Sequence, residues 1–342
     1  MKAVMFRNAD EPLTLAEVPD PTPDTGDLVV KVGRCGICGT DVHLTQEHGY
    51  FPDNSVIGHE FAGEVVALGA DVQGFKIGDI VTAMAGAGCG QCRGCLTAGP
   101  FLCENGFTAY GGGFAEYARV PARATIKLPS SLSLTDGALV EPLAVSLHAL
   151  RLVDRIAGKR VLVLGAGSIG LGVVHWARKL GALRVVAASR SRRRASLAEA
   201  MGADAFIETG EGEGERVAAA LGGLPDIVIE CIGVAGALSQ SVQLVKPLGT
   251  VVSLGFCTKP DPVLPALATF KQVQLLFSMA YSLDEFQFAA DMLDRGHVEP
   301  RLMVNDDVLA LAEVPDIIQQ LRKGRADTKL HIDPWRKLRE SR

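Results

Sequence analysis

The hydrophobic rhythm of the chain changes once, near Lys159. Before that point, short apolar runs such as DLVVKVGRC, FAGEVVALG and GDIVTAM are separated by Gly, Pro and Asp. That is the pattern of strands joined by tight turns. After it, continuous apolar runs alternate with helical periodicity. RVLVLGAG predicts a buried strand, IGLGVVHWARKLG a helix, LRVVAAS a strand and RRRASLAEAMG a helix, with DIVIECIG and GTVVSLG as further strands. Such alternation predicts an α/β fold with a parallel sheet and right-handed crossovers. Helical periodicity returns at SLDEFQFAADMLDRG and EVPDIIQQLRKG, and the charged tail WRKLRESR is expected to fray.

Composition narrows the class. The chain has 342 residues, enough for two domains, with 48% hydrophobic and 21% charged residues, as a globular protein has. A net charge of −5 supplies no electrostatic reason to expect nucleic-acid or membrane binding. The N-terminal MKAVMFRNADEPLTLAEVPD lacks the apolar core of a signal peptide, so a cytoplasmic, reducing setting is expected. The apolar stretch from Val161 to Ala177 contains four glycines, Ser168 and His175. It is short for a membrane span and fits a phosphate-binding turn instead.

Cysteine usage then points to metal. Cys89, Cys92, Cys95 and Cys103 are spaced C-x2-C-x2-C-x7-C. Four thiolates complete a tetrahedral shell around Zn²⁺ and leave no position for substrate, so this site is predicted to be structural. An iron–sulfur cluster uses similar spacing but would need an electron-transfer context that nothing else supplies. A second set is suggested by CGICGTDVH and GHEFAGEV. Cys38 and His59 are a thiolate and an imidazole suited to zinc, and Glu60 and Glu141 are candidate carboxylates. A catalytic zinc needs about three protein ligands and one exchangeable position. The two later cysteines, Cys231 and Cys257, are expected to be small buried fillers.

RVLVLGAGSIG carries G-x-G-x-x-G between a predicted strand and helix, at Gly165, Gly167 and Gly170. The first glycine makes the turn, the second admits a pyrophosphate and the third lets helix and strand pack. Ser168 and Ile169 open the helix, whose N–H groups and dipole favour phosphate. At the end of the next strand, where an NAD enzyme places an acid for the ribose 2′-OH, stands Ser189, followed by Arg190, Ser191 and Arg192 to Arg194. A hydroxyl and guanidiniums there would bind a 2′-phosphate that an acid would repel, so NADP(H) is expected over NAD(H).

In these pieces, in their order, and over essentially its whole length, the chain resembles the zinc-containing medium-chain dehydrogenase/reductase family of alcohol, sorbitol and threonine dehydrogenases. The pieces are CGICGTDVH, GHEFAGEV, the four-cysteine lobe, LVEPLAVSLHA and GAGSIG. The resemblance implies a GroES-like β-rich catalytic domain over 1–150 carrying both zincs, and a doubly wound Rossmann domain over 151–281. Residues 282–342 would return to the catalytic domain, with the active site in the cleft between domains. It also implies that Cys38, His59, Glu60 and Glu141 form the catalytic-zinc set, with Asp41 bonded to the zinc histidine. Thr40 and His43 would relay the alcohol proton to solvent. A thiol stands at the position of Glu141 in simple-alcohol enzymes, and a glutamate in polyol and threonine enzymes. Family members that use NADP share the Ser/Arg pair and a basic residue five positions on, here Arg194. Ile232, Gly233, Leu254 and Gly255 match strand ends lining the cofactor.

The implied activity is hydride transfer between a secondary alcohol or polyol, or its ketone or aldehyde, and NADP(H), with two zincs per subunit, in a homodimer or homotetramer. An L-threonine-type or sugar dehydrogenase is the alternative enzyme, although threonine enzymes usually keep an acid at the position of Ser189. A non-catalytic NADPH-binding protein of the same fold is the alternative of another class, opposed by Cys38, His59 and Glu141. The wall of the substrate site departs from sorbitol enzymes. Where these carry an arginine and an aromatic, this chain has Ser278, Met279 and Tyr281, and its lobe after Cys103 is short. Tyr50, Phe51 and Tyr110 are further wall candidates.

Overall fold

The computed structural model describes residues 1–325 and 327–337, so the end of the charged tail lies outside the described residues. The chain divides into two compact units, one of Met1–Glu141 with Ser282–Arg342 and the other of Pro142–Tyr281. The first boundary falls inside the helix Leu134–Arg151, at Pro142.

The first unit is mainly β. Its largest sheet runs Thr125–Lys127, Ile80–Ala83, Glu60–Leu68, Asp27–Gly36, Lys329–Asp333 and Val304–Ala310 in spatial order, with Tyr117–Pro121 also pairing Asp27–Gly36. The apolar runs of the sequence become its core: Leu28, Val30 and Val32 pack with Phe61, Val65, Val81, Ile318 and Ile332. Asp27–Gly36 and Glu60–Leu68 are antiparallel, with Cys35 opposite Phe61 and Gly36 opposite Glu60. That register sets CGICGTDVH beside GHEF. A small sheet, Gly86–Ala87 with Thr108–Ala109, lies in the cysteine-rich segment.

The second unit is the expected parallel sheet. Its strands run Ala205–Glu208, Arg184–Ser189, Arg160–Leu164, Ile227–Glu230, Thr250–Ser253 and Gln274–Phe277, all parallel. Val161 to Leu164 are fully buried, because a parallel sheet covered by crossover helices has no wet face. Leu162, Leu164, Val186 and Val228 pack against Val217, Leu221 and Val242 of the helices. Strand order reverses between Arg160–Leu164 and Ile227–Glu230, the switch point at which such sheets leave a crevice beyond their carboxyl ends.

One element differs from the sequence pattern. RRRASLAEAMG does not form one helix; Arg192–Arg194 is a 3₁₀ turn and the α-helix is only Ala195–Ala200. Arg192 Nη1 donates to the backbone oxygen of Phe206 and Arg194 Nη1 to that of Ala166, which ties this turn to its surroundings. Among the described residues, no helix is long and apolar enough to cross a membrane.

Candidate active site

Cys38 caps the short helix Gly39–His43. Asp41, on the first turn of that helix, turns its Oδ2 back to accept from the Cys38 N–H at 2.9 Å. This leaves Asp41 fully buried, with Oδ1 3.5 Å from His59 Nδ1. The Oδ1 atom has no hydrogen-bond partner among the described residues, so at this distance the contact is one of charge. Burial works against the imidazolium of His59, but the Asp41 carboxylate, with support from Cys38, outweighs it and raises the His59 pKa well above its ordinary value. Thr40 Oγ1 lies 3.5 Å from His59 Nε2, and His43 is exposed at the end of the same helix.

Strand pairing completes the group. Donor atoms of Cys38, His59 and Glu60 all lie within 4.8 Å of one another. A thiol, an imidazole and a carboxylate in this arrangement fit zinc. Glu60 is fully buried, and both its oxygens accept from Lys329 Nζ at 2.7 Å. Lys329 also donates to Ile37 O at 3.2 Å. Burial opposes the charge on Lys329, yet Glu60, Cys38 and Glu141 together raise its pKa. Glu141 is buried in the helix Leu134–Arg151; it does not belong to the three-donor group, but its charge acts on Lys329. Sequence reasoning missed Lys329. Its only trace was a lysine opening the apolar run KLHID, which local pattern cannot distinguish from an exposed strand end.

The four cysteines form a second group, with all their sulfur atoms within 4.8 Å of one another. Backbone N–H groups already point at these sulfurs. Cys92 N donates to Cys89 Sγ and Cys95 N to Cys92 Sγ, both at 3.4 Å, and Cys89 N donates to Cys103 Sγ at 3.2 Å. Donors from the Gln91 backbone and the Asn105 side chain lower the Cys89 pKa to about 6. Loss of hydration, with the neighbouring thiols, pushes Cys95 up to about 12. N–H groups aimed at sulfur suit thiolates, and a divalent cation would draw all four into that form.

The glycine-rich turn lies at the switch point. Gly165 has φ +98°, and a Cβ on Gly170 would stand 1.8 Å from Gly165 O, so the turn and the helix can meet only through glycine. Gly167 caps the helix Ser168–Lys179, and the space beside it is clear. Ser168 and Ile169 are half-buried there. Ser189 ends the next strand half-buried, and Arg190 is exposed. Arg194 Nη1 donates to Ala166 O at 3.2 Å, which brings that guanidinium to the glycine turn itself. Ile232, Gly233, Leu254 and Gly255 follow the next two strands, half-buried.

Other sequence candidates separate. Cys257 is exposed, against the expectation of a buried filler, because it follows Thr250–Ser253 in a polar loop where its thiol donates to Lys259 O at 3.3 Å. Cys231 is half-buried. Phe51 meets Phe6 edge-on at 5.8 Å between centroids, which makes it part of the packing of the first unit. Tyr281 is buried, whereas Met279 and Tyr50 are exposed and Tyr110 is half-buried.

A β unit with two metal-fitting groups and a parallel-sheet unit with a glycine-rich turn define a two-domain dehydrogenase architecture. Residues 24–130 match the alcohol dehydrogenase GroES-like domain, and residues 168–295 match the zinc-binding dehydrogenase domain. An L-threonine 3-dehydrogenase from Pseudoalteromonas translucida (strain TAC 125) is 34% identical over 265 residues, covering 75% of this chain and 77% of its own. The crystal structure of a candidate zinc-binding dehydrogenase from Sinorhizobium meliloti 1021, bound to NADP, is 36% identical, with a TM-score of 0.88 and coverage of 97% of this chain and 99% of that one. A short chain alcohol dehydrogenase from Escherichia coli CFT073, complexed with NADH, is 28% identical with a TM-score of 0.87, covering 97% and 99%. The chain belongs to the zinc-containing medium-chain dehydrogenase/reductase family. It is an oxidoreductase of the alcohol, polyol and threonine dehydrogenase kind.

Proposed function

We propose that the protein oxidises a secondary alcohol or polyol, or reduces the matching ketone or aldehyde, with NADP(H) and two zincs per chain. The observation that carries this is the convergence of Cys38, His59 and Glu60 beside the buried Asp41 and Lys329. When bound, zinc supplies a Lewis acid for the substrate oxygen and NADP(H) supplies the hydride exchange. Cys38 and His59, with the Glu60 and Glu141 carboxylates, would hold the catalytic ion; Cys89, Cys92, Cys95 and Cys103 would hold the structural one. Asp41 orients the His59 ring through Nδ1, leaving Nε2 for the metal. Thr40 Oγ1 accepts the hydrogen bond of the substrate hydroxyl, and the proton leaves toward the exposed His43. Lys329 neutralises Glu60, so the buried site does not carry an unpaired carboxylate.

Cofactor choice is assigned to Ser189, Arg190 and Arg194, because a hydroxyl and two guanidiniums suit a 2′-phosphate. The NADP bound by the Sinorhizobium relative supports this, while the NADH of the Escherichia relative makes it a point to be measured. A homodimer or homotetramer is proposed. The threonine enzyme among the relatives favours one second reading, oxidation of an amino alcohol, and the secondary hydroxyl of threonine is the same chemistry. A panel of secondary alcohols, diols, sugars and threonine, each with NADP⁺ and NAD⁺, tests the assignment. Turnover restricted to NAD⁺ would refute the cofactor choice. Metal analysis should return about two zincs per chain.

A further inference from the structure

Glu230 is a buried carboxylate at the switch point of the parallel sheet for which the chemistry above has no use. It ends the strand Ile227–Glu230 and is 2% exposed. Its Oε1 accepts from Ile232 N at 2.5 Å and from Gly233 N at 2.8 Å, and its Oε2 lies 3.4 Å from Ser253 Oγ. Its backbone oxygen accepts from Leu254 N at 2.8 Å and Gly255 N at 2.9 Å. One residue thus joins two turns that follow two neighbouring strands, 231–233 and 254–255.

The turns are packed closely against one another. A Cβ on Gly255 would stand 2.2 Å from Gly233 N and 2.9 Å from Glu230 Oε1, and one on Gly233 would stand 2.8 Å from Phe256 N. The first turn also abuts the glycine-rich turn, since a Cβ on Gly165 would lie 3.1 Å from Cys231 O. Three turns therefore meet where a dinucleotide would lie. A carboxylate at such a place would repel phosphate if it faced outward. Here its charge is directed into two backbone N–H groups and a hydroxyl, which satisfy a buried anion without a cation.

We propose that Glu230 is a positioning residue for the dinucleotide: its carboxylate ties the 231–233 and 254–255 turns together and so sets the affinity of the crevice for the nicotinamide cofactor. The proposal rests on the reading of this crevice as the cofactor site. It concerns geometry, not charge, and this separates two substitutions. Glu230→Gln keeps an oxygen for Ile232 N and Gly233 N and places an amide beside Ser253 Oγ. Glu230→Ala removes the tie.

The test is a fluorescence titration of the full-length, zinc-loaded protein with NADPH and with NADH. Glu230→Ala is expected to weaken both by about tenfold or more, raising the KM for cofactor further than it lowers kcat. Glu230→Gln is expected to rescue binding to within about threefold of the unaltered chain. Unaltered affinity in a folded Glu230→Ala variant overturns the proposal, and so does a Gln variant as weak as the Ala variant. If Glu230→Ala does not fold, Gly255→Ala, which displaces the same turn while keeping the carboxylate, is expected to show the same loss; unchanged affinity there overturns the proposal. An unaltered chain that binds neither nucleotide refutes the cofactor site itself, an outcome distinct from failure of the variants alone.

Discussion

Lys329 and Glu60 lie 269 residues apart in the chain and form a fully buried ion pair behind Cys38 and His59. Removing one member of a buried pair strands the other charge in a poorly solvated place, at a cost of about 3–5 kcal/mol. Lys329→Met should therefore shift the urea midpoint strongly downward, and Glu60→Met combined with Lys329→Met should recover most of the loss. A double variant as unstable as the single one would show that the pair is not what stabilises this region. Ser189 acts at the same scale. Ser189→Asp would place a carboxylate where a 2′-phosphate is proposed to sit, and kcat/KM should shift from NADP⁺ toward NAD⁺ by roughly tenfold or more, about 1.4 kcal/mol. Unchanged discrimination would move the 2′-phosphate elsewhere. The place of Ser189 at a strand end was legible in the sequence, because it lies a countable distance beyond the glycine-rich turn. Lys329 was not, because its role depends on a partner that only the sheet brings near.

At the scale of elements, the four-cysteine lobe has little apolar support: its helix Arg93–Thr97 has no buried residue, and Leu96 and Leu102 are exposed. Such a segment would depend for its order on the ion proposed for it. Cys95→Ser should reduce zinc content from about two per chain to about one and open residues 89–103 to proteolysis, read by metal analysis and limited digestion. Two zincs retained in that variant would remove the structural assignment. The helix Leu283–Asp294 shows the opposite kind of determination. Its start is written in SLDE: Ser282 accepts from Glu285 N, and Glu285 accepts from Ser282 N at 2.7 Å. Local chemistry of that sort survives in any context. The run read as one helix from Arg192 onward is helical but opens on the 3₁₀ turn Arg192–Arg194 before the α-helix Ala195–Ala200, and Arg192 and Arg194 tie that turn to the backbone oxygens of Phe206 and Ala166.

At the scale of the whole molecule, acid should be destabilising for a specific reason. His331 is fully buried, and neither ring nitrogen has a hydrogen-bond partner among the described residues. Burial first, then the charges of Lys329 and Arg34, lower its pKa from 6.5 to about 3, with Asp136 pulling weakly the other way. The unfolded chain therefore takes up a proton on His331 that the folded chain refuses. The stability associated with neutral His331 is complete above pH 6.5 and is lost as pH falls toward 3, by roughly 1.4 kcal/mol per pH unit. Thermal melts from pH 7 to pH 5 should show a falling Tm, with a shallower fall in His331→Leu. Equal slopes for the two proteins would contradict this account.

What the sequence determined by itself was whatever repeats locally or is counted along the chain. The period of apolar residues specified strands and helices, the x2 spacing specified the cysteine lobe, and G-x-G-x-x-G specified a tight turn between strand and helix, because each needs only neighbours within a few residues. Tertiary structure decided which distant groups share a buried space. It gathered Cys38, His59 and Glu60 through one strand register and placed Lys329 beneath them from a strand near the end of the chain. It also buried His331 with no hydrogen-bond partner among the described residues and made Glu230 a tie between two turns. These are matters of burial and charge pairing. Their energies depend on distance and solvent exclusion, and neither is a property of residues adjacent in sequence.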